Sequence, residues 1–464
     1  YYGMRGLLFL FMVTAAVEGG LGFSEGKAGA IYGLYVAGVY LLALPGGWLA
    51  DRLFGQQRSI FIGGCVIAAG HFSMAIPAMS TFYLGLVLIV IGTGLLKPNI
   101  SAIVGELYPE GGARRDAGFS IFYMGINLGA FVSPLVCGYL GEKIDWHLGF
   151  GAAGVGMVAG LIQYSYGRKY LGSAGLLQPS GLPETEQARQ RRLIYSILAG
   201  GFAVVAAFVA LAVTGVIPVT IQQVANGSLV LIVAAAILFF GYVLLAGGLE
   251  TGEKKRVGAI AMLFFFSFLF WMGFEQAGAS MNVFALDLTD RVVFGWEMPA
   301  SWLQSVNPIF IILLAPAFGA LWVGLSKRNR NPSIPIKFGF GLVLLGSGFL
   351  ALVYGARLAE SGALVSPMWL IVAYLLHTCG ELCLSPVGLS TVTKLAPTSF
   401  KSQMMGAWFL SLSLGNLAAG IVAGRIETMP MAELFFWVFA VTGAGGLLIW
   451  LLSPVVNKLT GGIK

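Results

Sequence analysis

The chain has 464 residues, 58% of them hydrophobic and only 10% charged, with 66 glycines and a mean hydropathy of +0.86. Soluble domains carry about 25% charged residues, so a water-soluble multidomain enzyme, a disordered chain and a disulfide-stapled secreted domain are excluded. The net charge of +7 is not laid out as a basic stripe with interleaved aromatics, so no nucleic-acid partner is expected.

The arithmetic suits about 14 membrane spans of roughly 22 residues joined by short connections. Apolar runs bounded by charges or turn residues predict helices over 1–17, 27–50, 59–78, 82–104, 116–140, 147–167 and 193–214. Seven more are predicted over 228–248, 257–284, 303–325, 336–355, 367–393, 402–423 and 432–453. Each is long enough to cross a hydrocarbon core of roughly 30 Å with some tilt. The chain begins at Tyr1-Tyr2-Gly3, already apolar, so the start of the first helix is expected to be missing. No cleavable signal peptide is seen, and a first span can direct insertion by itself. Cys65, Cys137, Cys379 and Cys383 all fall in apolar runs, which argues against a disulfide framework.

Alternate loops differ in charge. One set carries Arg52 and Arg58; Arg114 and Arg115; Arg168, Lys169, Arg189, Arg191 and Arg192; Lys254, Lys255 and Arg256; Lys327, Arg328, Arg330 and Lys337; Lys394 and Lys401; and Lys458 and Lys464. The other set carries only Lys27, Lys143, Arg291, Arg357 and Arg425. A bias of 20 to 5 places the first set, and both termini, in the cytoplasm. The polar stretch 168–192, with Pro179, Gly181 and Pro183, is the natural boundary between two halves.

The halves echo each other. Lys97-Pro98 recurs as Ser385-Pro386 at an offset of 288, and Asn127-Leu-Gly-Ala as Asn416-Leu-Ala-Ala at an offset of 289. That suggests a parallel repeat of six helices, as in many secondary transporters. The expected architecture is an all-α polytopic membrane protein. It has a six-helix bundle over 1–167, a linker with two inserted helices over 168–256, and a second six-helix bundle over 257–464.

Four ionisable residues lie within apolar runs: Arg5, Lys97, Glu275 and Glu381. A charge at the bilayer centre costs roughly 2.5–3.5 kcal/mol on insertion scales, so such residues face a cavity or a partner. Static salt bridges between helices are the plain alternative, although buried pairs are weak sources of stability. Aligning the repeats puts Lys97 and Glu381 on equivalent helix faces, which points both at one central cavity. That polarity suits a zwitterion, with Arg5 and Lys97 for a carboxylate and Glu381 for an ammonium. Asn127 and Asn307 can add hydrogen bonds, or make ordinary interhelical contacts. Tyr1, Tyr2, Tyr40, Trp271 and Trp408 suit side-chain pockets, packing or interfacial anchoring.

Several literal motifs lack the context that would give them chemistry. Gly149-Phe-Gly151-Ala-Ala-Gly154 follows no strand, and Gly22-Phe-Ser24-Glu-Gly26 has no strand-turn-helix setting. Cys379 and Cys383 near His377 read as packing rather than a metal site. Neither catalytic residues nor metal are expected.

Three stretches resemble the signatures of the proton-coupled oligopeptide transporters of the major facilitator superfamily. They are Tyr1-Tyr2-Gly3-Met4-Arg5-Gly6, Phe122-Tyr123-Met-Gly-Ile-Asn127-Leu-Gly, and Gly380-Glu381-Leu-Cys-Leu-Ser385-Pro386-Val-Gly-Leu-Ser390. Gly47-Trp-Leu-Ala-Asp51-Arg52-Leu-Phe-Gly55 is similar to that superfamily's loop motif, where Arg58 adds a further charge. The two inserted helices resemble those of bacterial members. The resemblance implies symport of di- and tripeptides with protons by alternating access, at the bacterial inner membrane, with no cofactor beyond the proton. The protein is expected to work as a monomer in the lipid bilayer. By this resemblance Arg5 and Lys97 bind the peptide C-terminus, and Glu381, helped by Asn127 and Asn307, binds its N-terminus. Tyr1, Tyr2, Tyr40, Trp271, Ser385 and Trp408 match pocket positions. Glu275 matches a proton-linked acid paired with Arg5, and Arg5, Lys97 and Glu381 join it in proton coupling. The family's E-x-x-E-R element is expected just before Tyr1. Rival readings are the same fold carrying nitrate or a modified peptide, a non-transporting peptide receptor, or a membrane-embedded hydrolase.

Overall fold

A computed structural model describes residues 1–108, 112–177 and 183–461; Pro179, Gly181, Lys464 and the side chain of Lys401 lie outside the described residues. The chain forms α1 (Tyr2–Val13), α2 (Glu25–Leu41), α3 (Ala43–Leu49), α4 (Gln56–Met74), α5 (Met79–Glu106), α6 (Gly112–Lys143) and α7 (Trp146–Gly167). Next come α8 (Glu184–Val213), α9 (Ile221–Ala246), α10 (Thr251–Phe274) and α11 (Ser280–Asp287), and then a hairpin of β1 (Val292–Val293) and β2 (Trp296–Glu297). The rest is α12 (Val306–Lys327), α13 (Ile334–Ala359), α14 (Met368–Leu395), α15 (Lys401–Ala423), α16 (Met431–Leu451) and α17 (Ser453–Leu459).

Each of the fourteen predicted runs falls on a helix, and among the described residues twelve helical spans are long and apolar enough to cross a membrane. Some of those spans join neighbouring elements. A π turn at Ala50–Phe54 continues α2 and α3, and a 3-10 turn at Glu275–Gly278 joins α10 to α11. The other two runs are α1, with 12 described residues, and α4, which opens on Gln56-Gln57-Arg58 and carries His71.

The boundaries differ where end chemistry overrides hydropathy. The eighth helix starts at Glu184 rather than 193, because Glu-Thr-Glu-Gln-Ala-Arg-Gln-Arg-Arg is good helix sequence that extends beyond the apolar run. α9 starts at Ile221 rather than 228, set by a capping box in which Thr220 Oγ1 accepts from Gln223 N at 3.2 Å and Gln223 Oε1 accepts from Thr220 N at 2.8 Å. α1 ends at Val13 rather than 17 because Thr14 turns extended, with φ −56° and ψ 138°.

The repeat is visible in the elements. Met79–Glu106 and Met368–Leu395 are both 28 residues long and lie 289 residues apart at both ends, and each is interrupted by a proline, Pro98 or Pro386. Loop ends sort into two groups by contact. At one end Trp146 Nε1 donates to Glu18 O at 3.3 Å, Gly26 N to Glu427 at 3.0 Å, and Lys143 to Glu297 at 3.0 Å. At the other, Gln56 donates to Glu106 at 2.9 Å, Arg168 to Gln57 at 2.8 Å, and Asn457 to Ser333 at 3.3 Å. These groups coincide with the poor and rich sets of basic loops.

The two halves meet mainly at the Glu18–Glu427 end. α2 lies along α15 so closely that a Cβ on Gly29 would stand 2.2 Å from Gly420 O. Glycine is required at this crossing because backbone touches backbone. Nearby, α6 packs on the Ala300–Ser305 turn and on α12, where Glu142 accepts from Ala300 N at 2.6 Å and Ser301 N at 3.0 Å and also holds the Ser301 hydroxyl. α9 rests against α2, α10 and α15.

Candidate functional site

Between the halves lies a partly open cavity of about 170 Å³. Of the sequence-predicted residues, Tyr2, Arg5, Tyr40, Asn127, Trp271, Glu275, Asn307 and Glu381 line it. They come from α1, α2, α6, α10 with its 3-10 turn, α12 and α14. Charges far apart in sequence therefore share one space, as their burial cost requires.

Arg5 and Glu275 form a salt bridge across the halves, with side-chain exposures of 13% and 3%. Arg5 Nε also donates to Tyr32 OH at 2.8 Å. Tyr32 reaches that position only because residue 278 is glycine: a Cβ there would stand 1.9 Å from its hydroxyl. The 3-10 turn that holds Glu275 is pinned from two sides. Gln276 Nε2 donates to Ala419 O at 3.1 Å and Ser280 Oγ to Gln276 Oε1 at 2.6 Å. Farther along, Asn282 Nδ2 donates to Gly6 O at 2.8 Å, tying α11 to α1.

Across the cavity stands Glu381, whose Oε2 is buried without a hydrogen-bond partner. Asn307 Nδ2 donates to Thr378 Oγ1 at 2.9 Å, which fixes α12 to α14 one turn away from Glu381. Asn127 donates to Tyr123 O at 2.9 Å within its own helix. Lys97 sits behind the lining, its ammonium 4.0 Å from the centroid of the Tyr40 ring. This cation–π contact shares the lysine's charge with the wall. Trp271 Nε1 is buried and unpartnered, an indole donor available to a guest.

Other predicted residues lie outside the lining. Tyr1 stacks on Tyr35 with ring centroids 6.4 Å apart, and its hydroxyl is buried and unpartnered. Trp408 is buried against Phe338, at 6.3 Å between centroids, inside its own bundle. Ser385 is half-buried one turn beyond Glu381 and does not line the cavity. Asp51 and Arg52 lie on the π turn after α3, and Arg58 in the first turn of α4, all away from the cavity. The sequence reading did not assign Tyr123, Gln304, Tyr374 and His377 to the lining, though all four line it. Tyr123 carried a usable signal, one helical turn before Asn127. The imidazole of His377 is buried with both nitrogens unpartnered, 4.7 Å from the Phe349 ring centroid. Among the described residues no group of three His, Cys, Asp or Glu side chains could hold a metal ion.

The model of the POT family matches residues 57–438. The chain is 43% identical to the peptide transporter YePEPT of Yersinia enterocolitica over 92% of its own length and 85% of that protein's. It is 37% identical to a di-/tripeptide transporter of Lactococcus lactis, covering 99% of this chain and 92% of the relative. Among solved structures, the crystal structure of a peptide transporter POT with sulfate superposes with a TM-score of 0.91 at 41% identity, covering 99% and 92% of the two chains. A POT family transporter bound to 5-aminolevulinic acid gives a TM-score of 0.89 at 34% identity, covering 99% and 94%. With the family model spanning most of the chain and these relatives covering nearly all of it, this multi-span membrane protein belongs to the POT family.

Proposed function

We propose that this protein imports di- and tripeptides across the bacterial inner membrane together with protons. The observation that carries the reading is the cavity with Arg5 on one wall, backed by Lys97 behind Tyr40, and Glu381, whose Oε2 has no hydrogen-bond partner, on the other. A peptide zwitterion has the complementary polarity: its carboxylate meets Arg5 and Lys97, and its ammonium meets Glu381, with Asn127 and Asn307 adding polar contacts. Trp271, Tyr2 and Tyr40 offer aromatic faces to its side chains. The relatives named as peptide transporters support the same substrate class.

The bundles 1–167 and 257–464 rock about this cavity as a single monomer, with 168–256 an appendage between them. The basic loops face the cytoplasm. The Glu18–Glu427 end, where the halves are in contact, then faces outward, and the cavity opens inward. The Arg5–Glu275 bridge couples the proton: a peptide carboxylate competes for Arg5 and frees Glu275 to be protonated, while Lys97 and Glu381 complete the charge balance. No cofactor is needed. Uptake of labelled dipeptide into proteoliposomes tests this. Accumulation against the peptide gradient only under an inward proton gradient is the expected result. Gradient-independent uptake, or cleavage without accumulation, would overturn it.

A further inference from the structure

A second cavity begins where the first ends, with Tyr123 lining both. Its other walls include Lys337, Lys394, Asn331, Ser390 and Trp322, from α12, α13, α14 and the turn before α13. Lys337 is only 7% exposed, and its ammonium lies 4.7 Å from the centroid of the Trp322 ring. Among the described residues neither Lys337 nor Lys394 has a carboxylate within ion-pair distance. The titratable groups facing this space are Tyr123 and the two lysines, and none is acidic. The stem of Lys337 is buried while its ammonium faces the cavity, with no anion among the described residues to neutralise it.

A second feature points the same way. The 26-residue α13 begins at this cavity, and Ser333 makes no side-chain cap to its first turn; its hydroxyl accepts from Asn457 instead, at 3.3 Å. Pro335 has no N–H, and the Ile336 and Lys337 N–H groups already donate to Ser333 O at 3.0 and 3.1 Å, so what the helix offers an anion is the positive end of its dipole. Two lysines with no carboxylate beside them among the described residues, at the positive end of a helix dipole, form a site for a carboxylate or phosphate group.

We propose that this vestibule binds an oxyanion. Two sources share the chemistry: free inorganic phosphate, and the C-terminal carboxylate of a peptide leaving the central cavity past Tyr123. The second source rests on the peptide-transport reading; the first does not.

The test titrates inorganic phosphate against the thermal unfolding midpoint of the purified protein, and follows release of preloaded Gly-Gly from proteoliposomes. Phosphate should raise the wild-type midpoint. It should also do so in Lys97→Gln, where the central cavity has lost a cation. The Lys337→Gln/Lys394→Gln variant should need at least about tenfold more phosphate for the same rise, and Lys337→Arg should restore the response. Loss of the phosphate response with unchanged Gly-Gly release identifies a free anion as the ligand. Slower release identifies the peptide carboxylate. If wild type carries no Gly-Gly, the peptide reading fails while the phosphate arm still decides the site. A double variant with wild-type phosphate response and wild-type release overturns the proposal.

Discussion

At the scale of single residues, the chemistry turns on how Arg5 divides its donors. One nitrogen bridges to Glu275 and another donates to Tyr32 at 2.8 Å, so the guanidinium is both neutralised and oriented. Under the proposed function a peptide carboxylate competes for that guanidinium, and by linkage each ligand must then weaken or strengthen the other reciprocally. Glu275→Gln imitates a permanently protonated acid. It is expected to reduce gradient-driven accumulation to the level of simple equilibration while sparing exchange of labelled for unlabelled dipeptide. Accumulation and exchange assayed side by side check this, since damage to a purely structural bridge would lower both. Glu381 gives a second prediction. Its Oε2 is buried and unpaired, which leaves it waiting for a donor. Under the proposed binding mode, acetylating the peptide's amino group removes the cation that meets it. Leaving a buried charge unpaired typically costs about 3–5 kcal/mol, some two to four decades of affinity. N-acetylated and C-amidated dipeptides should therefore compete poorly with the free zwitterion, and equal competition would refute the assignment. The charged members of this site were legible because a charge inside an apolar run has few bland explanations. Tyr374, His377 and Gln304 were not, since a neutral polar residue on a membrane helix looks the same whether it lines a cavity or packs a neighbour. Trp408 is the reverse case: it packs against Phe338 outside the cavity lining, and nothing in the sequence separates that position from a wall position.

At the scale of elements, each apolar run fell on a helix, the short α17 after the last run was not foreseen, and the other errors fell at the ends, where caps and solvated charged turns decide. What hydropathy cannot show is how closely helices approach. The α2–α15 crossing is set by Gly29 and Gly420, whose added Cβ atoms would stand 2.2 and 2.3 Å from the opposing backbone. Gly29→Val should force the helices apart and destabilise the closed Glu18–Glu427 end. Spin labels at Lys27 and Thr428 should report a longer distance, and peptide uptake should fall about tenfold or more. A wild-type distance would show that the crossing has slack. At the same end, Glu297 accepts from Lys143 at 3.0 Å and pairs with Arg291 at 2.6 Å. Hydrogen bonding from Lys143, followed by the Arg291 charge, holds its carboxyl below the usual glutamate range. A depressed folded-state pKa stabilises above the unfolded value, and the benefit is lost as pH falls through the folded one. Because Glu297 is half exposed, solvent screens most of this effect. Glu297→Gln should therefore leave the unfolding midpoint nearly unchanged at low pH and lower it slightly at neutral pH, as thermal unfolding at the two values would show.

At the scale of the whole molecule, charge placement and contact geometry agree on which loops share a side. Among the described residues, the contacts between the halves gather at the Glu18–Glu427 end. The cavity is closed where α2 meets α15 and where Glu142 caps the Ala300–Ser305 turn, and it communicates through Tyr123 with the vestibule at the basic end. Alternating access requires the basic end to close in its turn, and interactions that stabilise that state need not be present in this one. Asp51 fits that description. It lies on the π turn after α3, exposed, with no ion pair among the described residues. Leu44 already touches Gly406 of α15, where a Cβ would stand 2.9 Å from its side chain. From that contact the chain runs about two turns onward to Asp51, while α15 runs back to its N-terminus at Lys401. Closing the basic end would bring the Asp51 carboxylate to the positive end of the α15 dipole, an attraction worth about 0.3–1 kcal/mol when exposed and up to ~2 kcal/mol when partly buried. Removing the charge should thus cost the closed-inside state roughly two- to thirtyfold in population. It should leave peptide affinity in the inward-open state untouched, because Asp51 is remote from the cavity. In a well-expressed Asp51→Asn variant, uptake should fall by a factor in that range while dipeptide binding to detergent-purified protein stays at the wild-type value. Unchanged uptake would confine this loop's role to topology. Parallel loss of binding would place its effect on folding rather than on the switch between states.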